Sequence, residues 1–315
     1  MSTNTLPKAV EVEKHNDGQI WVISLNRPSK RNAINGDVQV GLFDAFRAFE
    51  IDEKAKVAIL YGKGGHFCAG ADLEAVSSDG SALLPTPMVK LDDFEAKTAE
   101  IKPYLHSMGF IGLSRLLTTK PTIAAISGYC VAGGLELALC DINPFSFFFF
   151  FFFLKKKRCD IRIADETAKF GVFCRRFGVP LIDGGTTRLP KLIGLSQAMD
   201  MIITGKEVSA TEALRLGLVT RLSDNQSLLK DSLKLGAMIC QLPFKCLQLD
   251  RMNTYMSFGN ELLPSIQNES NRAIQSDVFQ SMSENAKKFT QGVGKHGSFQ
   301  PFQNATEKKQ GFSKL

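Results

Sequence analysis

An α/β core of repeated strand and helix units, followed by a helical C-terminal section, is the fold class this 315-residue sequence predicts. Three observations carry that expectation. Short apolar runs alternate with helical patterns through the N-terminal part of the chain. Two of the strand-like runs end in Gly-rich turns, around Gly64 and Gly128. From about Asn225 onward the period is helical and strand patterns are hard to find.

The elements follow in order. Ile20 to Leu25 reads as a strand and is followed by an Asn26-Arg-Pro turn. A helix from about Asp37, with Asp37 as its N-cap, places Leu42, Phe43, Phe46 and Phe49 on one side. Val57 to Tyr61 is a second strand, and residues 77–90, rich in Ser, Gly and Pro, read as a loop. Thr122 to Ile126 is a third strand, ending in Ser127-Gly128. Ser209-Ala-Thr-Glu212 is a capping box before a helix over Ala213 to Leu216.

Composition narrows the function. Hydrophobic residues make up 44% and charged residues 22%, values of an ordinary folded domain that exclude disorder and collagen. The formal net charge of +6 sits mostly in Lys155 to Lys157 and in the tail after Glu284, so the rest of the chain is near neutral. No Arg/Lys stripe with interleaved aromatics suggests a nucleic-acid partner. Seven scattered cysteines without a C-x-x-C pair read as free thiols, and four histidines without H-x-x-x-H spacing give no metal signature. Met1 to Glu13 has no apolar h-region, so no signal or transit peptide is expected. The longest apolar run, Phe145 to Leu154, is about half the ~20 residues a membrane helix needs.

Two turns carry chemistry. Gly64-Gly-His-Phe-Cys-Ala-Gly-Ala-Asp-Leu73 follows a strand, and its glycines let backbone amides converge on an anion. Ser127-Gly-Tyr-Cys-Val-Ala-Gly-Gly-Leu-Glu136 also follows a strand and opens a helix, whose first amides lack intrahelical partners. One N–H from each turn can build an oxyanion hole, with Glu136 close enough to serve as acid or base. Singly each motif is weak; the combination is specific.

The chain resembles the crotonase (enoyl-CoA hydratase/isomerase) superfamily over roughly residues 10–297. The resemblance rests on Asn26-Arg-Pro with Arg31-Asn-Ala-Ile34, Phe67-Cys-Ala-Gly-Ala-Asp-Leu73 and Lys120-Pro-Thr-Ile-Ala-Ala-Ile-Ser-Gly. It continues through Gly133-Gly-Leu-Glu-Leu-Ala138, Cys159-Asp-Ile-Arg-Ile-Ala164 and Gly184-Gly-Thr-Thr-Arg-Leu-Pro190. It implies a ClpP-like spiral of ββα units and a C-terminal helical trimerisation region, hence a homotrimer or homohexamer. It also implies an acyl-CoA thioester substrate, with coenzyme A entering as part of that substrate and no separate cofactor. By motif, the amides of Ala71 and Gly133 would polarise the thioester carbonyl. Arg31 and Ala33, with Ala69, Gly70, Asp72 and Leu73, would line the coenzyme A and substrate site, together with Gly134 and Cys174. Asp72 reads as a turn residue that holds the oxyanion amide rather than as a catalyst.

The departures bear on the reaction. Glu136 matches the first catalytic glutamate of the hydratases, but the position expected to hold the second is Cys174. Hydration normally engages two carboxylates, and a thiol does not replace one. Asp183, in Pro180-Leu-Ile-Asp-Gly-Gly, stands where the hydratases usually carry a small residue, and relatives with isomerase or dehalogenase chemistry use acids in this neighbourhood of the pocket, which makes Glu136 and Asp183 the expected acid/base pair. The alternative for Asp183 is a turn cap before Gly184. Cys174 as a nucleophile lacks a histidine nearby in sequence, so a structural thiol is the expectation. The rival to an enzyme of hydration or double-bond isomerisation in fatty-acid metabolism is a crotonase scaffold that binds acyl-CoA without turning it over.

Eight of the 24 phenylalanines fall at Phe145 and Phe147 to Phe153, inside a stretch that interrupts the family pattern. Cys140-Asp-Ile142 recurs as Cys159-Asp-Ile161, and removing Asp141 to Arg158 shortens the Glu136 to Cys174 spacing from 38 to 20, the family distance. A phenylalanine homopolymer is what a pyrimidine-rich intron end encodes, so the expectation is a retained intron or a gene-prediction error; a genuine loop is the alternative, and sequencing the transcript decides. If translated, the tract is an aggregation hazard, with Lys155 to Arg158 as partial gatekeepers. The expected organisation is a spiral core at 10–225 interrupted at 141–158, a helical oligomerisation region at 226–297 and a polar tail at 298–315. That tail ends Ser313-Lys314-Leu315, a peroxisomal address read by an import receptor. Removing Leu315 is expected to leave a fluorescently tagged protein cytosolic; persistence in peroxisomes would count against the address.

Overall fold

Val10, Val12 and the polar residues between them alternate with period two, and this segment forms β1 (Val10–His15), a strand the sequence reading omitted. Asn16 and Asp17 at positive φ, followed by Gly18, turn the chain back into β2 (Ile20–Leu25), which pairs with β1 antiparallel. Every residue of β2 is buried, the pattern of a strand covered on both faces. The structure, a computed structural model, describes residues 8–78, 111–113, 118–139, 159–257, 262–276 and 278–292. Most of the loop expected at 77–90, the Phe-rich stretch and the Ser-Lys-Leu tail lie outside those residues.

The first unit, Met1–Cys240, continues with α1 (Gly36–Ile51), β3 (Val57–Gly62), α2 (Leu73–Ser78), β4 (Thr122–Ile126), β5 (Tyr129–Val131) and α3 (Gly133–Leu139). After these come β6 (Ile161–Asp165), β7 (Lys169–Gly171), α4 (Gly185–Ile193), α5 (Leu195–Thr204), β8 (Val208–Ser209), α6 (Ala210–Leu216), β9 (Arg221–Ser223) and α7 (Leu228–Cys240). One sheet has the order β1-β2-β3-β4-β6-β9 and the other β5-β7-β8. Apart from the β1–β2 and β7–β8 pairs, the strands are parallel. Successive turns of the spiral, β4 with β5 and β6 with β7, give one strand to each sheet before the chain enters a helix. This is the ββα spiral.

Local chemistry explains the helix ends. The N-cap of α1 is Asn35 and not Asp37: its side chain accepts from Val38 N at 3.2 Å, and Asp37 falls inside the first turn. Leu42, Phe46 and Phe49 are buried, with Phe43 packed at the edge of the core. Lys120, itself buried, donates to the carbonyls of Phe49 at 2.9 Å and Asp52 at 2.6 Å, placing a cation at the C-terminal end of α1. Ser209 caps α6 by accepting from Glu212 N, so that helix begins one turn earlier than the sequence suggested.

The second unit, Gln241–Leu315, contains α8 (Phe244–Ser257), α9 (Leu262–Gln275) and α10 (Val278–Thr290). Arg272 on α9 donates to Asn253 on α8 at 2.7 Å. Among the described residues no helix is long and apolar enough to cross a membrane.

Candidate active site

The first Gly-rich turn is held open by a clip that the sequence reading did not anticipate. Asn32, fully buried with φ +57, accepts from Arg27 N and donates to the carbonyls of Lys63 and His66. Arg27 then reaches Ala33 O at 2.6 Å and the Asp72 carboxylate at 2.8 Å. Burial works to raise the Asp72 carboxyl, but the Arg27 hydrogen bond and charge, with two backbone amides, outweigh it and hold Asp72 below the usual range. Asp72 is thus an anchor. Ile34 N donates to Gly70 O and Asp72 N to Ile34 O, each at 2.8 Å, so the intervening Ala71 turns its own N–H away from this bridge.

The second turn meets the first edge to edge. Cys68 N donates to Tyr129 O at 2.8 Å and Val131 N to Cys68 O at 3.1 Å. Ala132 adopts φ +51, an uncommon conformation for a residue with a Cβ, and its N–H is tied to Gly171 O at 2.9 Å. Gly133 then starts α3, and its amide has no partner within the helix. The two free-facing amides flank one small space. An ideal Cβ built on Gly133 would lie 3.7 Å from Ala71 N, and one on Gly70 would lie 3.2 Å from Gly133 N. Gly134 is pressed against the Cys68 backbone, where a Cβ would overlap the carbonyl oxygen, so it packs the turns together and is not on the pocket wall.

Glu136, one turn into α3, is only 3% exposed yet lines the pocket. Its Oε1 accepts from Asp183 N at 3.0 Å and from Gly185 N, the first amide of α4, at 2.8 Å. Both bonds fall on Oε1, which leaves Oε2 for a ligand. Burial pushes the Glu136 carboxyl up to about 7, against the Gly185 amide; the Asp183 charge adds to the rise, while the Asp183 amide and Arg188 oppose it. A carboxyl poised near neutrality can both take and return a proton.

Asp183 therefore meets Glu136 through its backbone amide. Its own carboxylate is buried and accepts from Ile111 N at 2.8 Å. Cys174 lines the pocket from a 3-10 helix at Phe173–Phe177. Burial and the neighbouring Glu136 charge push its thiol up, against Arg175, so it is a neutral S–H and a poor nucleophile. Ala69, Ala71, Leu73, Gly133, Phe173, Phe177, Val179 and Pro180 complete a mainly apolar wall, with Phe177 at 64% exposure.

Comparison with known proteins places this geometry. The Enoyl-CoA hydratase/isomerase family matches residues 15–145 and 156–296. The chain belongs to that family. A probable enoyl-CoA hydratase of Mycobacterium leprae is 29% identical over 251 residues, covering 80% of this chain and 83% of the relative. A crotonyl-CoA hydratase of Syntrophomonas wolfei is 31% identical over 222 residues, 70% of this chain and 72% of the relative. Among solved structures, a probable enoyl-CoA hydratase/isomerase from Mycobacterium abscessus superposes with a TM-score of 0.71 at 27% identity, covering 91% of this chain and 96% of that one.

As a hydratase/isomerase-family enzyme the chain has two departures. The family match skips 146–155, inside the Phe-rich stretch read above as an interruption. Among the described residues lining the pocket, Glu136 is the one carboxylate, with Cys174 beside it. Of the other residues expected here, Arg31 is exposed, with its guanidinium 5.1 Å from the Tyr129 ring centre and its carbonyl accepting from Ala69 N at 3.0 Å. Ala33 is buried under Arg27. Gly70 sits at φ +93 in the first turn, where it faces Ala132 and Gly133 of the second. Phe173, Phe177, Val179 and Pro180 were missed by the sequence reading; an aromatic and apolar cluster flanking Cys174 was the available signal.

Proposed function

We propose that this enzyme moves the double bond of an enoyl-CoA thioester, with the amides of Ala71 and Gly133 as the oxyanion hole and Glu136 as the acid/base. Glu136 takes the proton from the carbon next to the thioester carbonyl, and the electron pair flows into an enolate held by the two amides. A new double bond forms between that carbon and the next one as the old one, a carbon further along, breaks, and the protonated Glu136 returns its proton two carbons from where it was taken. Donors preset for the enolate oxygen are each worth roughly 3–4 kcal/mol of barrier. The observation that carries this reading is the single carboxylate lining the pocket among the described residues, with its carboxyl pushed up to about 7. One acid suffices for a proton shuttle that ends where it began.

Hydration is the second reading, favoured by the names of the relatives. The apolar wall, with Leu73 and Phe177 exposed, suits an acyl chain. Coenzyme A enters as part of the substrate, with Arg31, Ala33, Ala69, Gly70 and Leu73 beside it, and Asp183 supports the acid/base role by its charge. Purified enzyme is to be offered 3-enoyl-CoA and crotonyl-CoA by absorbance, beside thermal shift with CoA esters. Conversion of the 3-enoyl ester without loss of crotonyl-CoA is expected, and Asp183→Asn is expected to lower turnover. Stabilisation by CoA esters with no conversion of either would establish a binding protein instead.

Self-association is also proposed. Leu195 and Ile203 on α5, and Leu262, Leu263 and Ile274 on α9, are more than half exposed, and such faces mark association surfaces. Light scattering is expected to give a trimer or hexamer; a monomer would overturn this.

A further inference from the structure

Glu136 depends on a bend of three residues. Asp183 N and Gly185 N, on either side of Gly184, make the two hydrogen bonds to Oε1, so the carboxylate stays in place only while that bend keeps its shape. Gly184 sits at φ +95, and nothing in its own side chain holds it there. The restraint comes from one turn further along α4. Arg188 is 3% exposed, its N–H closes the helix onto Gly184 O at 2.9 Å, and its guanidinium folds back to donate to Asp183 O. An ideal Cβ on Gly184 would come within 2.6 Å of Arg188 Cζ, so the guanidinium lies flat where only glycine leaves room.

We infer that Arg188 is a positioning residue for the acid/base, holding the Asp183–Gly185 bend so that its amides and the start of α4 fix Glu136. The inference rests on Glu136 being the group that moves the proton. Arg188 is not among the described residues that line the pocket. It acts in two ways of the same sign: its charge favours ionised Glu136, and the bend it holds supplies two donors to the carboxylate. The Asp183 charge opposes it, and the Cys174 thiol, with Arg175 beside it, faces Glu136 from the 3-10 helix. A lysine has the charge but lacks the planar fork that spans the bend.

The test uses the full-length enzyme with Arg188→Met and Arg188→Lys. Two readouts are taken: the acidic limb of kcat/KM against pH, and the carboxyl titration of Glu136 by infrared difference against Glu136→Gln. In Arg188→Met both are expected to move up by about one pH unit. Activity below the limb then falls roughly tenfold and recovers in alkali. Arg188→Lys is expected to return part of the shift, and it carries the test alone if the methionine variant does not fold. Two outcomes overturn the inference: a carboxyl titration unmoved in a folded variant, or a rate lowered equally at every pH. A titration that moves while the rate profile does not would leave Arg188 in its place and refute Glu136 as the acid/base.

Discussion

Glu136→Gln is expected to lower turnover by about 10²–10⁴-fold while making the folded protein more stable above neutral pH. The loss follows from removing the group that takes and returns the proton. The gain follows from the cost of charging a buried carboxyl. Burial raises its affinity for the proton from an ordinary 4.5 to about 7, so the folded protein binds that proton more tightly than the unfolded chain. Stability from this group is therefore fully present below about 4.5 and is lost as the pH rises through about 7. At about pH 8 the difference is on the order of 3 kcal/mol, and glutamine retains an oxygen for the Asp183 and Gly185 amides without the charge. Thermal denaturation at about pH 8 and pH 4.5 reads both limits. The variant should melt higher than the wild type at the former and level with it at the latter. Equal melting at both would show that Glu136 is ordinary in its proton affinity.

Gly70→Ala is the second large expected effect, with turnover down by roughly 10² or more. Gly70 sits at φ +93, where a side chain is strained at a cost of about 1–3 kcal/mol. The new methyl would also start 2.9 Å from Ala132 Cβ and 3.2 Å from Gly133 N. Relief requires one turn to retreat from the other, which spreads the Ala71 and Gly133 amides away from a common oxygen. Gly18→Ala is the matched control: φ is +88 in the β1–β2 hairpin, but nothing lies within 4 Å of the added methyl. The control should lose stability alone. Equal turnover in the two variants would mean that the space between the turns is not the oxyanion site.

The parts of this molecule legible in its sequence are those whose signal is local. β2, β3 and β4 are mainly apolar runs bounded by turns, and both Gly-rich turns announce themselves by residue type. β5, β7, β8 and β9 are at most three residues long, too short to display any period. They exist because neighbouring backbone offers them partners, as Cys68 does for Tyr129 and Val131. The N-cap of α1 went to Asn35 over Asp37 because reach to Val38 N decides a cap, and residue type only nominates candidates. At the site, Glu136 was legible from its place after Gly133-Gly134. That Asp183 meets it by an amide, with Arg188 holding the bend from behind, depends on contacts across 47 to 52 residues that no local pattern encodes.

The Cys159 thiol donates to Leu137 O at 3.8 Å, so the end of α3 and the approach to β6 lie side by side. In polymer terms, the fold itself holds together the two ends between which further sequence is joined. For a flexible connection the cost of closure grows only with the logarithm of its length, so a change of 18 residues there is worth on the order of 2 kcal/mol. Folding stability therefore sets only a weak limit on how much sequence joins these two ends.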